Sequence, residues 1–326
     1  MSSIKLGIIG CGIAARELHW PALKKLHRKF TLTAVCNHTQ EKAKSFAELV
    51  GNIPYVLDYR ELLAREDIEA VSIILPIHLN HLVVQEALAA GKHVIVEKPL
   101  AASRTHAGLL VELEKKSPLI TMVAENFRYR RIYKEAKSIL ADGLIGKPYA
   151  VTWNQYSHLD ISGKYAQTQW RIHHQYPGGF ITDGGVHHVA ALRDLFGDIK
   201  VRSAMVASLN PQIGEIDTLS MQFTANNNLL GLFNCYFSSV GYTQNKILIS
   251  CTTGTMSISW SKITVRDKSR VLFEKNFEKD AGFKSEFEDF YEAVRNKRKP
   301  VSTFKEAYKD LCVLLDAYKK AGYERG

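Results

Sequence analysis

A short apolar run, Leu6-Gly7-Ile8-Ile9, breaks directly into Gly10-Cys11-Gly12-Ile13-Ala14-Ala15. No other feature constrains the fold of this chain so strongly. The run reads as a strand, and residues 14–29 read as a helix with Pro21 a candidate kink. Gly-x-Gly-x-x-Ala between a strand and a helix is the pattern of a dinucleotide-binding turn. The first glycine permits the tight turn, and the second lets a pyrophosphate approach the backbone. The small third residue lets helix and strand pack closely. Phosphates would then meet the free N–H groups of the helix N-terminus. Without its context the same pattern is an ordinary tight turn.

The context repeats. Strand signals at 30–36, 70–75, 93–96 and 119–123 alternate with helix signals at 41–50, 59–65, 79–90 and 104–116. The punctuation is local: Gly51 and Gly91 end helices, Asp58 and Ser103 cap them, and Pro76 stops a strand. Strands apolar on both faces between helices imply a doubly wound parallel sheet. After residue 124 the texture changes. One helix, 133–142, is followed by strand signals at 149–156, 200–208, 217–224, 229–237, 246–251 and 255–260, which predict a largely antiparallel sheet. Two helices, Phe283–Asn296 and 304–321, close the chain, and Phe283, Phe287, Phe290 and Tyr291 mark one buried face. The expected organisation is a Rossmann domain over 1–123 and an α+β domain with a large, open, mostly antiparallel sheet over 124–326.

Composition excludes several classes. The net charge is +10, but the charges are scattered and the densest cluster, Arg295 to Lys299, suits a solvated helix end. Nucleic acid is not an expected partner; a basic surface that attracts phosphorylated or acidic small molecules is. No apolar run approaches the roughly 20 residues of a membrane span. Five cysteines, Cys11, Cys36, Cys235, Cys251 and Cys312, are widely spaced without a CxxC pair, so they read as reduced thiols of a cytoplasmic protein. Adjacent histidines at 173/174 and 187/188 lack metal-ligand spacing, and no metal site is expected.

Candidate chemistry lies in four places. At the end of the second strand an acid would bind a ribose 2′-hydroxyl and repel a 2′-phosphate. Here stand Asn37-His38-Thr39, with Lys42 one turn on from His38, which favours NADP and leaves NAD possible. The loop from Leu75 and Pro76 through His78 to His81 follows the fourth strand at the carboxyl end of the sheet, where ligands of such folds bind. Lys98 lies just past the fifth strand, between Glu97 and Pro99; a lysine beside a cofactor can exchange protons or hold a substrate oxygen, or can be a surface residue after a strand. Asp183 and His187 are four residues apart behind Gly178-Gly179. Asp183 is a candidate N-cap, and with His187 a candidate acid/base pair. Tyr156, His158, Arg171, His173 and Tyr176 are candidates to bind hydroxyl groups.

These motifs together resemble the Gfo/Idh/MocA family of oxidoreductases, the glucose–fructose oxidoreductase and inositol dehydrogenase superfamily. The resemblance rests on residues 7–15, the loop 76–81, Ala90 to Leu100 with its Glu97-Lys98-Pro99, Trp170-Arg171, and Gly178-Gly179 through Asp183 to His187. It implies a nicotinamide-dependent dehydrogenase or reductase acting on a secondary alcohol or ketone of a sugar, polyol or related cyclic compound. It implies Lys98, Asp183 and His187 as the catalytic trio, His187 carrying the hydroxyl proton. Trp170 and Arg171 would lie near nicotinamide and substrate; Glu97, Lys98 and Asn126 join the cofactor-lining set. The open sheet would serve a homodimer or homotetramer. The chain departs from the common pattern at Phe180, where a third glycine is usual, and at Asn37, where an acid is frequent. A non-catalytic NAD(P)-sensing regulator, and a redox-neutral epimerase or glycosidase that retains its nicotinamide, are the alternatives within the same fold.

Overall fold

The computed structural model describes residues 2–213 and 215–323. In chain order the strands of the first half are β1 (Ile4–Ile9), β2 (Phe30–Cys36), β3 (Tyr55–Val56), β4 (Ala70–Ile73), β5 (His93–Glu97) and β6 (Thr121–Ala124). Its helices are α1 (Trp20–Lys25), α2 (Gln40–Leu49), α3 (Tyr59–Leu63), α4 (Asn80–Ala89) and α5 (Arg104–Lys116). The strands form one parallel sheet in the order β3-β2-β1-β4-β5-β6. The order reverses at β1, which puts the Gly10 turn at the switch point where ligands of such sheets bind. The expected caps are present: the Asp58 carboxylate accepts from Arg60 N at 2.9 Å, and Ser103 Oγ from His106 N at 3.2 Å.

The single helix expected over 14–29 is divided. Ala15–His19 forms a π turn, in which the Trp20 N–H reaches back to Ala15 O, and α1 follows. Pro21 is no kink; it sits in the first turn of α1, where its missing N–H costs nothing. A π turn carries one extra residue, so it rotates every side chain beyond it. One result is that His19 is buried rather than solvated.

The second half holds α6 (Arg131–Ala141), β7 (Pro148–Tyr156), α7 (Gln169–Ile172), α8 (Gly179–Phe196), β8 (Lys200–Ala207), β9 (Thr218–Ala225), β10 (Leu229–Tyr236), β11 (Gln244–Cys251), β12 (Thr255–Ser259), β13 (Lys262–Arg266) and β14 (Val271–Asn276). α9 (Phe283–Asn296) and α10 (Phe304–Lys320) end it. The sheet order is β14-β13-β12-β11-β7-β10-β9-β8, antiparallel except where β7 meets β10. β13 and β14 extend it beyond the strands expected from the sequence.

By internal packing the chain divides into two compact units, residues 1–126 with 282–308, and residues 127–281 with 309–326. α9 belongs to the first, because Phe287 and Tyr291 set their rings edge-on against Phe30 of β2 at 5.7 and 5.9 Å. In the second, α8 lies on β9 and β10 with α6 beside it. Val189, Leu192 and Phe196 there meet Trp153, Phe223 and Phe233 from the sheet. Asp310 of α10, only 1% exposed, accepts from Arg128 at 2.6 and 2.8 Å and from Arg193 at 2.6 Å. Two guanidinium groups on one carboxylate offset part of the cost of burying it, and burial still raises its pKa. All five cysteines are free thiols, and no helix among the described residues is long and apolar enough to cross a membrane.

Candidate active site

In the first unit the turn after β1 is closed by contact. Gly10 has φ +104°, and a Cβ there would lie 2.1 Å from the Ile74 carbonyl oxygen, so no other residue fits. Gly12 differs: a Cβ on it would meet nothing within 4 Å, which leaves open space over the backbone for a ligand. Ala15 is fully buried, as the helix–strand contact requires. Ile13 and Ala14 remain half-buried on the turn's outer side. Cys11 is no nucleophile. Its thiol donates to Cys36 O, and burial pushes its pKa up to about 12.

The end of β2 is tied into this turn. Asn37 Oδ1 accepts from Cys11 N at 3.1 Å, while Asn37 Nδ2 donates to Thr39 O at 3.3 Å. His38 and Lys42 are exposed beside it. Sequence reasoning missed Arg16, whose guanidinium bridges the two loops. Its Nε donates to Cys11 O at 3.2 Å, and its Nη2 donates to Lys42 O and Ser45 Oγ at 3.0 and 2.6 Å. A cation one residue past the fingerprint, near Lys42, was the available signal.

In the loop after β4 the side chains are partly packed. Leu75, Pro76 and His78 are half-buried, and His81 stacks on His106 with ring centroids 3.7 Å apart. Burial lowers the pKa of both His78 and His81, and His106 adds to the effect at His81. The residue that ties this loop to β5 is Asn80, not among the candidates. Fully buried, it donates to Glu97 O and Pro99 O, both at 3.0 Å, and so holds the turn that carries half-buried Lys98. Asn126 is buried where this part of the unit ends.

In the second unit, α8 begins four residues before Asp183. Gly178, at φ +81°, is its N-cap, so Asp183 is not; it lies inside the helix, 7% exposed. His187 is one turn on, on the same face, as the spacing predicts. Asp183 Oδ2 accepts from Arg171 Nε at 2.7 Å. The Arg171 guanidinium also lies 3.9 Å from the centre of the Trp170 ring, which fixes both groups. Tyr176 packs beside Trp170 at 6.0 Å. Its hydroxyl is buried with no hydrogen-bond partner among the described residues, and burial, then the Asp183 charge, raises its pKa. His173 is exposed. Tyr156 belongs to the other face of the sheet: it alternates with buried Val151 and Trp153 and meets Tyr236 and Tyr242. The structure therefore does not bring Tyr156 to Asp183 and His187. The geometry gathers Trp170, Arg171, Tyr176 and Asp183 into one cluster.

His187 is half-buried, its ring stacked 4.7 Å from that of Phe127. His188 is wedged among Trp153, Phe127 and Phe233 at 4.9, 5.6 and 5.7 Å. Its Nδ1–H donates to Gly184 O at 3.2 Å. A half-buried histidine thus sits directly before a buried one.

Two family models match the chain. One, described as an oxidoreductase family with an NAD-binding Rossmann fold, covers residues 4–125; the other, a GFO/IDH/MocA C-terminal domain, covers residues 133–257. The chain belongs to the Gfo/Idh/MocA oxidoreductase family. An uncharacterized protein of Saccharomyces cerevisiae is 30% identical over 100% of this chain and 98% of its own length. The crystal structure of an oxidoreductase from Thermotoga maritima is 38% identical, with a TM-score of 0.93 over 98% of this chain and 97% of that one. A dTDP-3,4-didehydro-2,6-dideoxy-alpha-D-glucose 3-reductase of Actinomadura kijaniata is 34% identical over 44% of this chain and 43% of its own length. This family member is accordingly an NAD(P)-dependent dehydrogenase or reductase.

The buried His188 generates a pH dependence. Burial, then the neighbouring His187, lowers its pKa from 6.5 to about 3. The unfolded chain takes up this proton below about pH 6.5 and the folded chain does not, so stability is complete above that value and falls with pH. From pH 7 to 4.5 this residue alone should remove roughly 2–3 kcal/mol. Urea unfolding at the two pH values should show His188→Leu less pH-dependent by that amount; equal slopes for both proteins would refute it.

Proposed function

We propose that this protein is an NADP(H)-favouring oxidoreductase that interconverts a secondary alcohol and a ketone on a sugar, polyol or related cyclic substrate. The observation that carries the reading is the pairing of Asp183 and His187 one turn apart on α8, Asp183 held by Arg171 and His187 left half-exposed. The nicotinamide, when bound, supplies the hydride acceptor or donor. His187 moves the proton of the reacting hydroxyl, the part that an imidazole most often takes in such a transfer. Asp183, Arg171 and Trp170 orient the substrate, and Lys98 holds its oxygen. The sugar-directed reductase among the relatives supports the substrate class.

Lys98→Ala, Asp183→Ala and His187→Ala should each lower kcat on a substrate found by screening sugars and polyols. The expected loss is about 10²- to 10⁴-fold for His187, with losses less than additive when combined. Cofactor affinity should change little in His187→Ala. Near wild-type turnover in that variant would make the histidine a packing residue only.

Residues of the β2 end support NADP. Asn37 is neutral, and Arg16, Lys42 and His38 stand around it, a set that suits a 2′-phosphate. The fit to a dinucleotide is carried by the open backbone at Gly12. NADPH should bind more tightly than NADH, and Asn37→Asp should weaken NADPH binding by about one to two orders of magnitude. Fluorescence titration showing unchanged NADPH affinity in that variant would defeat the assignment.

We also propose that the chain assembles as a homodimer or homotetramer in a reducing compartment such as the cytoplasm, where five free thiols persist. The outward face of the second sheet carries Leu230 and Leu232 of β10 and Leu248 of β11, exposed by 62, 43 and 42%. Leu232 and Leu248 flank Thr152 in register, so the patch is contiguous. Sedimentation at micromolar concentration should show a dimer or larger; monomer alone would contradict it.

A further inference from the structure

Behind the Lys98 turn, within the first unit, lies a buried group that the reaction as proposed does not use. His19, the last residue of the π turn, is 1% exposed, and its Nε2 lies 2.5 Å from Glu97 Oε1. The other carboxylate oxygen, Oε2, accepts the Lys98 backbone N–H at 3.1 Å. Phe287 and Phe283 of α9 clamp the imidazole, with ring centroids at 5.4 and 6.0 Å. One turn along the same helix face, Glu286 is fully buried, and neither of its carboxylate oxygens has a hydrogen-bond partner among the described residues.

The chemistry assigns the protons. His19 Nδ1 is buried without a partner, so an N–H there would be an unpaired donor. The Nε2–H donates to the Glu97 carboxylate. Glu97 then accepts two hydrogen bonds, both of which favour its ionised form. Glu286 has no such donors. Burial, then the charges of Glu97, Glu125 and Asp289, raises its pKa well above the usual range.

We propose that His19 is a positioning residue for Lys98. It fixes the Glu97 carboxylate against the Lys98 amide. The turn is then pinned at three points, by His19 through Glu97, by the Lys98 N–H, and by Asn80 on the carbonyls of Glu97 and Pro99. The inference rests on the catalytic reading of Lys98 for its purpose, and not for its geometry.

The test separates the two. The purified full-length protein is labelled with trinitrobenzenesulfonate, and modification of each lysine is followed by peptide mass spectrometry. Lys92 is an internal control: it is buried in the same unit, its Nζ donating to Arg65 O and Ile68 O, and reacts only if the unit opens. In His19→Ala the labelling rate of Lys98 should change at least about fivefold while that of Lys92 does not. His19→Gln, whose amide can still donate to Glu97, should restore the wild-type rate. Lys92 and Lys98 rising together, no change at Lys98 in His19→Ala, or failure of His19→Gln to restore it would each overturn the role of His19. If labelling behaves as expected but Lys98→Ala keeps full turnover, the positioning stands and the catalytic role of Lys98 falls.

Discussion

Backbone meets backbone where Gly10 passes the Ile74 carbonyl, and there is no room between them for a side chain. That approach lets β1 turn into the following helix within the width of the sheet. It brings Cys11 N within reach of Asn37 and places the open backbone of Gly12 at the switch point. It also fixes where the next helix begins. The π turn that follows then determines which side chain faces β5, and that residue is His19. A bulkier residue at 10 would disturb the Gly12 turn and the setting of Glu97 at once, although the two are far apart in sequence.

The second unit reaches a comparable result by other means. Gly178 lets α8 start early and pass close to Tyr318, so that Asp183 and His187 project from a complete helix rather than a frayed end. Trp170 and Arg171 lie on a helix of one turn that has little stability of its own. Their positions depend on the Arg171–Asp183 ion pair and on ring stacking. The acid thus serves both as a candidate participant in the chemistry and as the anchor of its neighbours.

Much of this was legible in the residues, and the failures have physical causes. Phe30–Cys36 and Phe283–Asn296 are found where expected because their periodicity and end signals are local. The fingerprint turn and the α8 pair are legible because each needs particular residues at fixed spacing. The π turn is not, because no local code marks one extra residue; its reward is the distant pairing of His19 with Glu97. Asp183 reads as an N-cap because Asp favours that role, but the glycines before it could also extend the helix, and packing decided in favour of extension. The hairpin of β13 and β14 hides in a charged stretch, its turn made by Asp267 accepting from Ser269 N and Arg270 N. Arg16 and Asn80 tie to residues 17 to 29 positions away, which a reading along the chain does not connect.

The eight-stranded sheet is open, and an open sheet has two rows of backbone donors and acceptors left to any strand that arrives. The borders here are hostile to such an arrival. β8 presents Lys200 and Arg202, and β14 presents Glu274 and Lys275, all exposed. A second strand laid against either border would meet charge that it must desolvate. Growth by edge addition into ribbons is thereby discouraged at both ends of the sheet. The broad face, with Leu230, Leu232 and Leu248 exposed, is where the proposed assembly has its surface.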